Sequence, residues 1–479
     1  MKRRSVLQAA VAIPLAGWAP LGWSREADSS SAPMGFGFGG SKKMLYDVRQ
    51  RPQAVYFKGK VFIGYKGGGT SAADSAADRR GSVAKTHAML LSYDPMSRQF
   101  SKPVKFGKTT DDHHDCPVIW ADKDDHLHFL YRCHNRPGIH LVAKQAGGMG
   151  ESESDWKALP DIAPMVSYPT VFRLHDDSNL LYYRTGGHSV SWSYKITGDN
   201  GRSWAGPEND VTNLDLINFP EWSSYQAKIL SKDGETLHVV FTDYDDVKSN
   251  DPHRLYNPRY EMPVRNEWKY NLSYLTIDVD THEVRNHAGE VLETPVHYET
   301  ARKKCQIWDT VWRGAGVPPA LSLDDNGIPE VLHVLSEENL ETHSYYYVRF
   351  ENGEWRNTRI TASNHQWNSG YLKRDNKGHL HAYVIVGDGY QDKEGVNYTH
   401  GGGGIEHWLS KDQGNTWTRH RDITPDAEKY PGWSFNNVQP VLRPDGSAVN
   451  GLLMFYGWLD GSKPDAVAFL LDESDLGGT

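Results

Sequence analysis

The chain repeats one short pattern: an apolar run, a polar turn rich in Asp, Asn and Gly, and a second apolar run. Residues 117–132 read PVIWADKDDHLHFLYR, 169–184 read PTVFRLHDDSNLLYYR and 227–241 read AKILSKDGETLHVVF. The pattern returns at 52–65 (PQAVYFKGKVFIGY), 319–335 (PALSLDDNGIPEVLHVL), 370–386 (GYLKRDNKGHLHAYVIV) and 440–456 (PVLRPDGSAVNGLLMFY). Such turns suit β-hairpins. Most units run on into a third strand, as in HAMLLSYD, SYYYVRF or IEHWLS. One unit cannot bury both of its faces alone, and radial stacking of units solves that problem. With seven units counted, the sequence predicts an all-β fold, a seven-bladed β-propeller filling residues 43–479 as one domain.

Two short motifs agree. TGDNGRSW (197–204) and SKDQGNTW (410–417) both match the Asp-box, in which an Asp and a Gly close a tight turn and a Trp packs between strands. The motif belongs to propellers of the sialidase-like kind. Its role is structural, so it does not select a chemistry.

The first residues, MKRRSVLQAAVAIPLAGWAP, place Lys2, Arg3 and Arg4 before a short apolar stretch. This predicts an export signal over residues 1–24 that is too short to span a membrane. RRSVLQ also resembles a twin-arginine signal, the address of proteins exported already folded. An ordinary secretory signal is the plainer alternative. Either way the mature chain is expected in the periplasm or secreted, with no membrane partner. Residues 25–42, READSSSAPMGFGFGGSK, read as a loose linker. The chain carries 52 Lys and Arg against 61 Asp and Glu, a net charge of −9, and loss of the basic leader makes it more acidic. That argues against nucleic acid as a partner. A local basic cluster on such a protein still suits an acidic polysaccharide. Of the three cysteines, Cys116 and Cys133 sit on neighbouring predicted strands, where a disulfide and two buried thiols are equally good readings.

In a hairpin unit the start of the first strand and the end of the second lie on one face. In the second unit this rule picks His114, from HHDCP, and His134, from YRCHN. In the third it picks Tyr168, from SYPT, and Arg184, from YYRTGG, as cross-strand neighbours. In the fourth it picks Tyr225, from SSYQ. A cation beside a phenol favours the phenolate, imidazole and phenol pass protons, and arginine grips a carboxylate through two parallel bonds. Together they suit abstraction of the proton on C5 of a uronic acid, with the carboxylate neutralised and the C4 glycosidic oxygen expelled. The alternative is a mouth filled with aromatic and histidine side chains that only pack.

HHDCP, YRCH, SYPT…LLYYRTGG and SSYQ, in this order and spacing, resemble the ulvan lyases, especially polysaccharide lyase family 25, over most of the mature chain. The resemblance implies a seven-bladed propeller that cleaves a sulfated algal polysaccharide, ulvan, by β-elimination between sulfated rhamnose and a uronic acid. It places the catalytic histidine on His114, the tyrosine acid/base on Tyr168 and the carboxylate-neutralising arginine on Arg184. His134, Tyr225, His188 and His113 are then substrate-binding candidates. No catalytic cofactor is implied. A structural metal is implied, with His253, Cys305, His343 and His365 as candidate ligands, and Cys with His suits zinc. A buried thiol with three loop histidines is the alternative. Rival functions are a sialidase-like glycoside hydrolase, suggested by the Asp-boxes, and a carbohydrate-binding propeller without catalysis.

Overall fold

The computed structural model describes residues 32–40, 49–68, 85–110, 112, 114–187, 191–213, 222–245, 256–265, 268–389, 401–459, 466–474 and 476. The expected export signal, His113, His188 and His253 lie outside them. All seven repeat units form antiparallel hairpins; Val118–Ala121 pairs with Leu127–Tyr131, Ser167–Arg173 with Asn179–Arg184, and Trp222–Leu230 with Thr236–Asp245. The molecule is an all-β, propeller-like arrangement of such sheets, and its few helical turns are short.

The turns explain the Asp-rich spacing. Asp122 Oδ1 accepts the backbone N–H of Asp124 at 3.0 Å and of His126 at 2.8 Å. Asp375 does the same for Lys377 at 2.9 Å and His379 at 2.8 Å. Each carboxylate satisfies donors that the tight turn would leave open. The Asp-boxes are built likewise. Thr197 Oγ1 accepts Gly201 N–H at 2.9 Å while Asp199 gathers Arg202 and Ser203. Gly201 has φ +80°, and a Cβ there would lie 2.8 Å from His140 of the preceding unit. Conformation and close approach therefore both require glycine.

Strand Met34–Gly40 corrects the expectation of a loose linker over 25–42. It pairs antiparallel with Ala466–Asp472 and becomes the outer strand of the last sheet. The Gly-rich run has a linker's composition, but its glycines serve packing: a Cβ at Gly37 would lie 2.9 Å from the Tyr65 ring, and Phe36 is buried in the core. Full burial of such a ring contributes about 1.5–3 kcal/mol. The disulfide reading is also corrected: Cys116 and Cys133 are buried free thiols.

One core cluster gathers Tyr168, Tyr182, Trp192, Tyr194, Tyr225 and Tyr244 between the third and fourth units. Rings of this kind bury large area and carry a polar tip. Their hydroxyls decide what the mouth above them can do.

Candidate active site

Two imidazoles share one carboxylate. His114 Nδ1 and His134 Nδ1 each lie 2.8 Å from an Asp112 oxygen, Oδ1 and Oδ2 respectively. A carboxylate only accepts, so both rings carry the proton on Nδ1. The rings stand 4.0 Å apart. Burial alone would raise the Asp112 carboxyl, but the hydrogen bonds from His114 and His134 outweigh it and hold the group well below the usual range. Burial pushes His114 down to about 3, against the pull of Asp112, and the charge of Arg49 adds to the effect. His114 is therefore a neutral base at neutral pH. Gln50 Nε2 donates to the His114 carbonyl at 2.7 Å, and Lys66 Nζ donates to that of Asp112, fixing the loop.

Tyr168 stands beside this pair, its ring 5.8 Å from His114 and 6.2 Å from His134. Its φ is +55°, a region that costs a non-glycine residue on the order of 1 kcal/mol. The cause is local. Ser167 pairs with Arg184 and Thr170 with Tyr182, so residues 168 and 169 together face residue 183 in a β-bulge, where Pro169 has no N–H to offer. The expected direct pairing of Tyr168 with Arg184 is thus off by one residue. The bulge nevertheless brings the two groups into contact: the Arg184 guanidinium lies 4.6 Å from the Tyr168 ring centre.

Arg184 is fully buried. Its Nε donates to Gly186 O at 3.3 Å, while Nη1 and Nη2 have no hydrogen-bond partner among the described residues. Two parallel buried donors without a partner are costly unless a ligand takes them, and a carboxylate fits both. Tyr225 completes the group, its hydroxyl 3.3 Å from that of Tyr168, with Lys269 Nζ 4.5 Å over its ring. Tyr168 and Arg184 have no exposed surface, whereas the side chains of His114 and His134 keep 15% and 13%. A ligand therefore first meets the histidines.

The structure brings together His114, His134, Tyr168, Arg184 and Tyr225. Sequence reasoning missed Asp112, Arg49 and Lys269. Arg49 Nη1 donates to the Tyr168 hydroxyl at 3.1 Å. Applying the strand-start rule to the first unit, where RQRPQ precedes the strand, would have found it. The expected zinc ligands fare differently. His343 and His365 are buried near each other, and burial, with the charge of His365, pushes His343 down to about 4. Both ring nitrogens of His343 lack a partner. Cys305 lies in the tyrosine-rich core cluster, where burial pushes its thiol up to about 12. Among the described residues Cys305, His343 and His365 do not form a group of three possible ligands, and His253, the fourth expected ligand, lies outside them.

The sequence model of the BNR repeat-containing family matches residues 80–363. The chain belongs to that family. This BNR-repeat protein is 22% identical over 310 residues to an ulvan lyase of Alteromonas sp. (strain LOR) and 21% identical over 343 residues to an ulvan lyase-PL25 of Pseudoalteromonas sp. (strain PLSV). These alignments take in 59% and 64% of the chain and span 58% and 63% of the relatives' length. A solved polysaccharide lyase PL25 ulvan lyase, bound to -[GlcA(1-4)Rha3S]-, superposes with a TM-score of 0.71 at 16% identity, covering 92% of this chain and 96% of its own. The polysaccharide lyase Uly1 superposes with a TM-score of 0.57 at 14% identity, covering 89% and 90%. The resemblance to ulvan lyases carried by the motifs is borne out, and the solved structures share the propeller-like fold.

Proposed function

We propose that this protein is a polysaccharide lyase that cleaves ulvan by β-elimination at a uronate. The observation that carries the reading is Arg184, fully buried with Nη1 and Nη2 unpartnered beside the Tyr168 ring. A substrate carboxylate on those donors makes the C5 proton more acidic by stabilising the enolate that forms. The Tyr168 oxygen, as phenolate, takes the C5 proton. The C5–H electron pair passes through the enolate into a C4=C5 double bond, the C4–O bond breaks, and the phenol returns its proton to the leaving oxygen. His114, neutral and held through Nδ1 by Asp112, shares the proton transfer or serves the epimer whose C5 proton points the other way. His134 and Tyr225 hold the sugar. This scheme needs no cofactor, and its substrate is an acidic sulfated polysaccharide.

The sialidase-like hydrolase alternative needs an arginine triad, a Tyr–Glu nucleophile pair and an acidic general acid. Asp112, the nearest acid, is already bound by two imidazole N–H groups. The propeller is read as seven-bladed. The innermost strands Ala54–Phe57, Val118–Ala121, Ser167–Arg173, Trp222–Leu230, Ala320–Leu323, Gly370–Arg374 and Trp433–Leu442 succeed one another in the chain, and the last returns to the first through a parallel bridge, Val55 to Leu442. Export rests on the leader in residues 1–24. The deciding assay is product chemistry: incubation with ulvan should yield unsaturated uronate ends that absorb ultraviolet light. Saturated reducing ends would mean a hydrolase, and unchanged polymer that still binds would mean a non-catalytic propeller.

A further inference from the structure

We propose that Arg49 is a positioning residue for this elimination: it holds the Tyr168 oxygen and favours its ionised form, which leaves Arg184 free for the substrate carboxylate. The proposal rests on the lyase reading and divides the work between two guanidinium groups that flank one phenol. Arg49 Cζ lies 4.3 Å from the Tyr168 ring centre and Arg184 Cζ 4.6 Å. Of the two, Arg49 is the one with a hydrogen bond to the hydroxyl, from Nη1 at 3.1 Å. Arg184 spends Nε on Gly186 O and keeps Nη1 and Nη2 open.

A guanidinium can only donate, so the Tyr168 oxygen accepts from Arg49, and its own proton is directed elsewhere, to Tyr225 or to substrate. When that proton leaves, the bond from Arg49 becomes charge-assisted at both ends and strengthens. The phenolate is thus stabilised by a group that need not touch the sugar. The placement is rigid. Arg51 N–H donates to Pro169 O at 3.1 Å, and Val171 N–H donates to Arg51 O at 2.9 Å. The segment carrying Arg49 is therefore bonded to the strand immediately after Tyr168, on the far side of the bulge. Among the described residues, the charged and titratable groups around the phenol include Arg49, Arg184, His114, His134 and Tyr225, with Asp112 behind the imidazoles and Lys269 behind Tyr225.

The test uses the full chain with Arg49→Gln, Arg49→Lys and Arg184→Gln. The Tyr168 phenol is titrated without substrate by ultraviolet difference spectra against Tyr168→Phe in each background. Arg49→Gln should make the phenol about tenfold less acidic. It should lower kcat on ulvan about 100-fold at neutral pH, with part of the loss recovered at higher pH and KM within about threefold of wild type. Arg49→Lys should restore part of kcat. Arg184→Gln should instead raise KM and gain nothing from higher pH. The proposal is overturned if folded Arg49→Gln keeps the wild-type phenol titration and kcat profile, or if its defect lies in KM. Should Arg49→Gln fail to fold, Arg49→Lys carries the same two readouts, and a phenol titration identical to wild type overturns the proposal. If wild-type protein makes no unsaturated product, the lyase reading fails, while the substrate-free titration still decides whether Arg49 acts on Tyr168.

Discussion

The second repeat unit carries one aspartate and two histidines at each of its ends, wired in different ways. At the mouth, His114 and His134 bond Asp112 in parallel, each through Nδ1. At the far end the groups run in series. His128 Nε2 donates to Asp122 at 3.1 Å, and His140 Nε2 lies 2.9 Å from His128 Nδ1. Trp120 stacks on both of those rings, and Gly201 of the next unit closes over His140. The series arrangement recurs in the sixth unit, from Asp375 through His381 to His407, at 3.2 and 2.8 Å. In parallel on one carboxylate, two partly exposed imidazoles border the mouth; in series away from it they form a polar strut.

The sharpest break of this comparison is Tyr168→Phe, which removes one hydroxyl from the mouth. Turnover of ulvan should fall by about 10³-fold with the melting temperature nearly unchanged. A variant that keeps a tenth of wild-type turnover would make Tyr168 a packing residue. Next come the paired variants Asp112→Asn and Asp122→Asn. At the mouth the amide can no longer enforce the Nδ1–H tautomer on both rings, so turnover should drop about 100-fold. At the far end turnover of the folded enzyme should stay within about twofold, while stability falls by about 1–3 kcal/mol, read from denaturant midpoints. Equal catalytic losses at both ends would erase the distinction.

The smallest effect is the pH dependence of stability. Burial lowers His128, and lowers His140 further, against the pull of Asp122 on His128. A histidine depressed in the folded state is neutral there while the unfolded chain already binds its proton. Its contribution is therefore complete above the unfolded value, near pH 6.5, and is lost as pH falls from there toward the folded value. Asp112, held low, contributes above about pH 4 and loses that contribution only in stronger acid. Denaturant midpoints should fall between pH 7.5 and 5, and His128→Leu combined with His140→Leu should flatten that slope. An unchanged slope would mean that the far-end histidines bind no extra proton on unfolding.

The hairpins were legible because alternation and Asp/Gly turns are local signals. The five mouth residues were legible because strand ends are predictable once hairpins are. Asp112 was not, because it lies in a loop without periodicity, one of three aspartates around two histidines. Arg49 was within reach of the strand-start rule applied to the first unit, but its contact with Tyr168 was not legible, because it spans 119 residues of sequence. The bulge at Tyr168 was half visible: SYPT carries the proline, but the left-handed tyrosine before it is set by tertiary contacts.

The pairing of Met34–Gly40 with Ala466–Asp472 has a bearing on the order of assembly. The last sheet takes its outer strand from the opposite terminus, so the ring is finished only after the whole chain has been synthesised. Long-range closure of this kind is slow and leaves a sheet edge exposed until it occurs. A ribosome-bound chain would hold that edge open, and a truncation that removes residues 34–40 would hold it open permanently. A chain cut beyond Met34 would carry the last sheet with an aggregation-prone edge, even though every residue of the mouth remained in place.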